Sequence, residues 1–250
     1  LVAMECATGL RADAFAGTPG LVMVRYAVSR CATKRSIPRP GPRQLSVHDV
    51  SCAFLHAEID EEIYLVLPEN VCPKAYVGYL KKSTYGTRRA AQLWQEHQGG
   101  KLKASGFQRM KGSGQVFYHP IYDVLVIAHG DDFFGEGAES DLTWLEEELH
   151  KHFLCTHKGR AGPGKLGGAS IEYLHRTVRY VEGFGFEWQP DPKHTSRIQK
   201  LLGLEDAKSA PTPMVAGDSR ATQGDEDDLL GEAEHKIYQS AVGSLIYLSL

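Results

Sequence analysis

The chain has 250 residues, 42% of them hydrophobic, and a formal net charge of −3 at pH 7. That is enough length and apolar content for one large cored domain or two smaller ones, and too much for a disordered tail. No apolar run approaches the roughly 20 residues of a membrane helix, and the N-terminus lacks a charged-then-apolar signal pattern; an intracellular protein without a membrane partner is expected. The five cysteines are scattered, odd in number and without a CxxC pair, which argues against a disulfide framework and fits a reducing compartment.

The small net charge conceals segregation along the chain. Ala14 to His48 holds six Lys/Arg and no acid, and Lys81 to Lys111 holds eight against the single Glu96. Glu136 to His150 reverses this with six acids and no Lys/Arg, and Asp218 to Glu234 is acidic again. Any one such block reads first as a solvated face; two basic blocks together could form one phosphate-tracking surface.

In chain order, Thr18 and Pro19 supply an N-cap and first position for a helix in which Leu21, Val24, Val28 and Cys31 share a face. "RQLSVHDVSCAF" alternates as a strand, with Val47, Asp49 and Ser51 on one side and His48, Val50 and Cys52 on the other. "QVFYHPIYDVLVIAHGDDFFGEG" reads as a strand, a tight turn around Gly130, and a short return strand. "SDLTWLEEELHKHF" carries Leu142, Leu145, Leu149 and Phe153 at helical spacing behind Ser140 as N-cap. "SIEYLHRTVRYVEGFGFEWQ" reads as a hairpin turning at Glu182 and Gly183. A helix then starts at Asp191-Pro192 and stops at Gly203, and "SAPTPM" is a Pro-rich connector. Helices interleaved irregularly with antiparallel strands predict an α+β fold, not a parallel doubly wound sheet.

Asp131 and Asp132 fall at the tip of the predicted hairpin. Adjacent carboxylates repel, burial raises the cost of ionising both, and a hard cation relieves it. Mg²⁺ is usually held by one or two carboxylates plus substrate phosphates. Asp49, on its own strand, is the candidate third member. Read alone, Gly-Asp-Asp is commonly a solvated hairpin tip and a strand Asp an edge residue or cap. His150, His152, Cys155 and His157 in "HKHFLCTH" have zinc-ligand chemistry but unusual spacing, and read as surface and packing residues.

The order of motifs changes the weighting. "HDVSCAFLHAEIDEEIYLVLPE", "YLKKSTYGTRRAAQLW", "VIAHGDDFFGEG" followed by the acidic helix "SDLTWLEEELHKHF", "GLEDAKSAPTPM" and "YQSAVGSLIYL" occur in the sequence in which they stand in the reverse transcriptase domain of copia-type retrotransposons. The chain resembles that family from about Gly17 to its last residue. Each motif is a weak pattern, and their joint order is specific.

The resemblance implies a right-hand polymerase palm: residues 1–44 as a fingers remnant and leading helix, 45–188 as palm with an inserted fingers segment at about 58–115, and 189–250 as thumb and start of the connection. It implies RNA-directed DNA synthesis, with Asp49, Asp131 and Asp132 as catalytic carboxylates holding two Mg²⁺ (or Mn²⁺) ions. Phe54 matches the family's aromatic that blocks a ribose 2′-hydroxyl. Arg89 falls in the nucleotide-contacting block, and Lys81, Lys82, Tyr85 and Arg88 would face nucleic acid; Trp94 reads as core packing. The hairpin at "RTVRYVEGFGFEW" falls in the primer-grip region.

The implied partners are an RNA template, a DNA primer, deoxynucleoside triphosphates and other parts of a Pol polyprotein. The implied location is a cytoplasmic particle or the nucleus. The sequence departs from the family at His129-Gly130, where Tyr and a bulky residue are usual, and at Arg89-Ala90-Ala91, where Gln-Ala-Pro is common. The family's upstream fingers strands and downstream RNase H segment are expected to lie outside this stretch, as in a polyprotein fragment. Two functional classes stay open: a working polymerase, and a transposon-derived palm that binds nucleic acid or has lost function. An RNA-copying RNA polymerase draws support from Gly-Asp-Asp and is opposed by Phe54.

Overall fold

The computed structural model describes residues 2–5, 9, 11–33, 41–72, 76–209 and 230–249. The chain divides into two compact units, Leu1–Gln189 and Pro190–Leu250. Most of the Pro-rich connector and of the acidic run after Asp218 lies outside the described residues.

The first unit is built on α1 (Leu21–Ala32), β1 (Arg43–Val50), β2 (Tyr64–Leu65), β3 (Gly78–Tyr79), α2 (Ala90–Ala104), β4 (Gln108–Arg109), β5 (Val116–His119), β6 (Val124–His129), β7 (Asp132–Ala138), α3 (Glu139–His152), β8 (Cys155–Ala161), β9 (Ser170–Tyr173), β10 (Arg176–Val181) and β11 (Gly185–Pro190). Six strands form one sheet in the order β4-β5-β6-β7-β1-β8, three form a second in the order β11-β10-β9, and β2 pairs β3. The ladders of the six-stranded sheet are antiparallel, so the α+β expectation holds.

Both faces of the large sheet are covered, which explains why β1 is buried almost throughout instead of alternating cleanly with solvent. On one face α2 and α3 supply Trp94, Leu102, Leu142, Leu145 and Leu149 to a core with Val50, Val126, Ala128 and Phe133. Leu142, Leu145 and Leu149 are at most 1% exposed, and burying each contributes about 1.5–3 kcal/mol. Helix α3 comes this close because β7 carries Gly135, where a Cβ would stand 2.6 Å from Ser46 Oγ and 2.9 Å from a Leu145 methyl. On the other face α1 and the three-stranded sheet bring Val24, Ala27, Ile171, Tyr173 and Val178 against Leu45, Val47, Ile127 and Phe134.

The structure corrects several sequence expectations. Helix α1 starts at Leu21 behind Gly20, two residues past the Thr18-Pro19 signal, and Gly20 makes no side-chain cap. Ala138, not Ser140, is the N-cap of α3, because β7 runs straight into it and leaves Ser140 within the first turn. β1 ends at Val50, Cys52 adopts positive φ, and Phe54 sits in a 3-10 turn, Ala53–His56, so Ser51 and Cys52 are not strand residues. The predicted single strand before Gly130 is two, β5 and β6, folded back at Pro120 to Asp123 with Asp123 at φ 50°; Pro favours such a turn and Asp tolerates the left-handed region. The segment 170–190 holds three strands, because Leu174 and His175, both with positive φ, form an extra turn that no Gly or Asn announces.

The second unit contains α4 (Lys193–Leu201) and α5 (Glu232–Ser249). Asp191 Oδ1 accepts the Lys193 amide at 2.9 Å, and Gly203 at φ 63° ends the helix. His194 stacks on Tyr247, ring centroids 3.9 Å apart. No described helix is long and apolar enough to cross a membrane.

Candidate active site

Two adjacent interior strands of the large sheet bring the acidic residues together. β1 and β7 pair in the register Val47↔Phe134 and Asp49↔Asp132, so the two carboxylates project from one face of adjacent strands. β6 and β7 close at His129↔Asp132, leaving Gly130-Asp131 as a two-residue loop. Gly130 takes φ 64° and Asp131 does not share a positive φ, the pattern of a II′ hairpin turn with Gly first. Two hydrogen bonds hold that loop: Val50 N–H donates to the Asp131 carbonyl at 2.9 Å, and Trp94 Nε1–H donates to the Gly130 carbonyl at 2.7 Å. Trp94, read from the sequence as core, is 1% exposed and also grips the turn.

Burial pushes the Asp132 carboxyl up to about 6, with the negative charges of Asp131 and Asp49 adding to the effect and Lys158 and His175 opposing it. Lys158 Nζ is 3.6 Å from Asp49 Oδ2; the side chains are 50% and 32% exposed. Asp49 and Asp132 line a cavity of about 480 Å³ with Lys158, Glu172 and Tyr173. Asp131 lies exposed at the loop tip beside it. Its charge and that of Asp49 both reach Tyr85, whose phenol is raised by burial first and by these carboxylates after it. The Tyr85 ring packs on Phe54 with centroids 4.5 Å apart.

The structure thus gathers Asp49, Asp131, Asp132, Phe54 and Tyr85 around one end of the large sheet. The basic residues predicted to meet nucleic acid are each engaged elsewhere. Arg89 pairs with Asp13 at 2.9 Å and Asp60 at 2.8 Å. The Arg88 amide donates to Glu5 at 2.7 Å and its guanidinium to the Gly9 carbonyl at 2.5 Å. Lys82 lies 3.7 Å from Glu58, and the Lys81 ammonium sits 4.2 Å over the Tyr79 ring.

The "HKHFLCTH" side chains also have separate surroundings: His150 and His157 turn to the Glu146 carbonyl and carboxylate, His152 to Ser105, and Cys155 is buried. No group of three or more His, Cys, Asp or Glu residues among the described residues is arranged to hold a metal ion. Two carboxylates on one face do fit the lesser demand of Mg²⁺, which takes one or two protein carboxylates and completes its shell with water and phosphate oxygens. Sequence reasoning missed Lys158 and Tyr173. Lys158 is one of many exposed lysines in sequence terms, and Tyr173 sits in a strand whose docking onto the large sheet no local pattern reveals.

The reverse transcriptase (RNA-dependent DNA polymerase) family matches residues 41–162, the span from β1 through β8. The retrovirus-related Pol polyprotein from transposon TNT 1-94 of Nicotiana tabacum is 27% identical over 209 residues, covering 80% of this chain and 15% of that protein. The putative transposon Ty5-1 protein of Saccharomyces cerevisiae is 33% identical over 111 residues, covering 39% of this chain and 36% of that protein. This chain therefore spans well under half the length of either relative.

Proposed function

We propose, from the premise that residues 41–162 are a copia-type retrotransposon reverse transcriptase domain, that the chain carries out RNA-directed DNA synthesis at the shared end of β1 and the β6–β7 hairpin. The reaction is nucleotidyl transfer from a deoxynucleoside triphosphate to a primer 3′-hydroxyl on an RNA template. The observation that carries this reading is the register pairing of Asp49 with Asp132.

Two carboxylates facing each other across adjacent strands, with Asp131 next in the chain, form an acceptor set for hard divalent ions. Asp49, Asp131 and Asp132 would hold Mg²⁺ or Mn²⁺. When bound, such ions offset charge on the attacking and leaving oxygens of the transferred phosphoryl group.

The chain's own residues contribute position. β1 and β7 are interior strands, so their ends are held by ladders on both sides, and Trp94 and Val50 fix the loop between the acids. Phe54, backed by Tyr85, would wall off a ribose 2′-hydroxyl. Lys81, Lys82, Arg88 and Arg89 would supply positive charge to phosphates, Arg89 by exchanging Asp13 and Asp60 for a nucleotide. In this reading residues 45–188, with α3 and most of the large sheet, are the palm, interrupted by a fingers segment at about 58–115 that contains α2, and 189–250 begins the thumb and connection.

Primer extension on an RNA template with deoxynucleotides and Mg²⁺ or Mn²⁺ is expected of the chain extended upstream in its own reading frame. Asp131→Asn is expected to abolish it. Extension by that variant at the parental rate would remove Asp131 from the site, and nucleic-acid binding without extension in the parent would leave a non-catalytic palm.

A further inference from the structure

Tyr85 and Gly86 are the central residues of a turn that the Thr87 amide closes onto the Thr84 carbonyl at 3.2 Å. The middle carbonyls of a surface turn ordinarily bond to water. Here a segment from far earlier in the chain takes both: Ala3 N–H donates to the Tyr85 carbonyl at 2.8 Å, and Glu5 N–H to the Gly86 carbonyl at 3.2 Å. Glu5 Oε2 also accepts the Arg88 amide, just past the turn, at 2.7 Å. Gly86 has φ 91°, and a Cβ there would stand 1.7 Å from the Ala3 carbonyl oxygen, so only glycine lets the segment lie this close. The same stretch also holds the turn that carries Phe54. The Ser83 amide donates to the Ala57 carbonyl at 2.9 Å, and the Tyr85 ring packs on Phe54.

We infer that Ala3 and Glu5 are positioning residues for sugar selection: they fix the Tyr85-Gly86 turn, and through the Tyr85 ring they fix the wall that Phe54 presents to a nucleotide. The inference rests on the proposed function for the role of Phe54. A steric wall discriminates only if it does not yield. Phe54 is only partly buried, on a four-residue 3-10 turn, so what stands behind its ring decides how far it can give way. That backing is Tyr85, and the bonds from Ala3 and Glu5 keep Tyr85 from receding.

The test uses Ala3→Pro, which removes the donor to Tyr85, and Glu5→Ala, which leaves the Arg88 amide without its acceptor, both in the chain extended upstream in its own reading frame. Primer extension with each nucleotide set should show ribonucleotide incorporation rising relative to deoxynucleotide by about 3- to 10-fold in each variant, the worth of one lost backbone hydrogen bond. The ratio compares two substrates on one enzyme, so a smaller folded fraction leaves it unmoved. In a Phe54→Val background neither change should raise the ratio further, since both act through that ring. Hydrogen exchange at the Leu55 and Ala57 amides, which bond within the Phe54 turn, should quicken in both variants. An unchanged ratio in either variant overturns the inference, and so does an additive rise in the double variants or unchanged exchange at the Phe54 turn. Failure of the parent to extend a primer would instead refute the proposed function, and the sugar role of Ala3 and Glu5 with it.

Discussion

Asp49 and Asp132 stand opposite one another as the last pair of the β1–β7 ladder, which sets two like charges side by side at the sheet's end. Like charges directly opposite in a sheet are destabilising unless something offsets them. Here Lys158 lies 3.6 Å from Asp49, while burial first, and then the charges of Asp131 and Asp49, raise the affinity of Asp132 for its proton.

The metal-free stability should therefore depend on pH through Asp132. An acid raised from 3.8 in the unfolded chain to about 6 in the fold contributes stability that is whole below the first value and lost as pH rises through the second. Asp132→Asn should make the metal-free chain about 1–2 kcal/mol more stable at pH 7, a figure reduced from the full shift because the side chain is partly open to solvent. The advantage should vanish near pH 4. Urea unfolding of both proteins at the two pH values checks this, and equal stability at pH 7 would mean the charges are screened.

Trp94 ties α2 to the loop between the acids through its indole N–H. Trp94→Phe keeps an aromatic ring in the core and removes that donor. A loss of about 1–3 kcal/mol from the orphaned carbonyl and the smaller ring is expected. Hydrogen exchange should quicken first at the amides flanking Gly130. Unchanged protection there would show that the Val50–Asp131 bond holds the turn unaided.

Glu136, fully buried on β7, accepts from both Arg30 and Arg43, and Asp123 bridges the same two arginines from the β5–β6 turn. Removing one partner from such a buried cluster leaves charge uncompensated. Glu136→Gln should destabilise the chain by about 3–5 kcal/mol in chemical unfolding. A change below 1 kcal/mol would mean that water or the remaining acid neutralises the arginines.

Phe54 rests on Tyr85 beside the acidic end of the sheet. If it walls off the 2′-hydroxyl, Phe54→Val should raise ribonucleotide relative to deoxynucleotide incorporation on the order of 10- to 100-fold, the range over which a pocket discriminates one hydroxyl. Primer extension with each nucleotide set measures the ratio. An unchanged ratio would leave Phe54 as packing for Tyr85.

Much of this arrangement was legible before any fold was known, because it is written locally. Leucines at helical spacing mark α3, Gly130 marks the hairpin, Asp191-Pro192 and Gly203 bound α4, and the order of motifs identifies the family. Local pattern failed where partners decide the outcome. Alternation was lost in β1 because both of its faces are covered, and the turn at Leu174-His175 is imposed on residues that do not favour it.

The sequence by itself marked three candidate acids, the main helices and a resemblance to one family; tertiary structure alone decided which acids face one another. Side chains alternate along a strand, so a shift of one residue between β1 and β7 would turn one of the paired carboxylates to the opposite face. The register comes from Val47, Phe134 and Leu45 seating in the core beneath the docked second sheet, a constraint set by residues far apart in the chain. The pairing of β8 with β1 brings Lys158, and the docking of the second sheet brings Tyr173, to the cavity that Asp49 and Asp132 line, and nothing near either residue in the sequence foretells it.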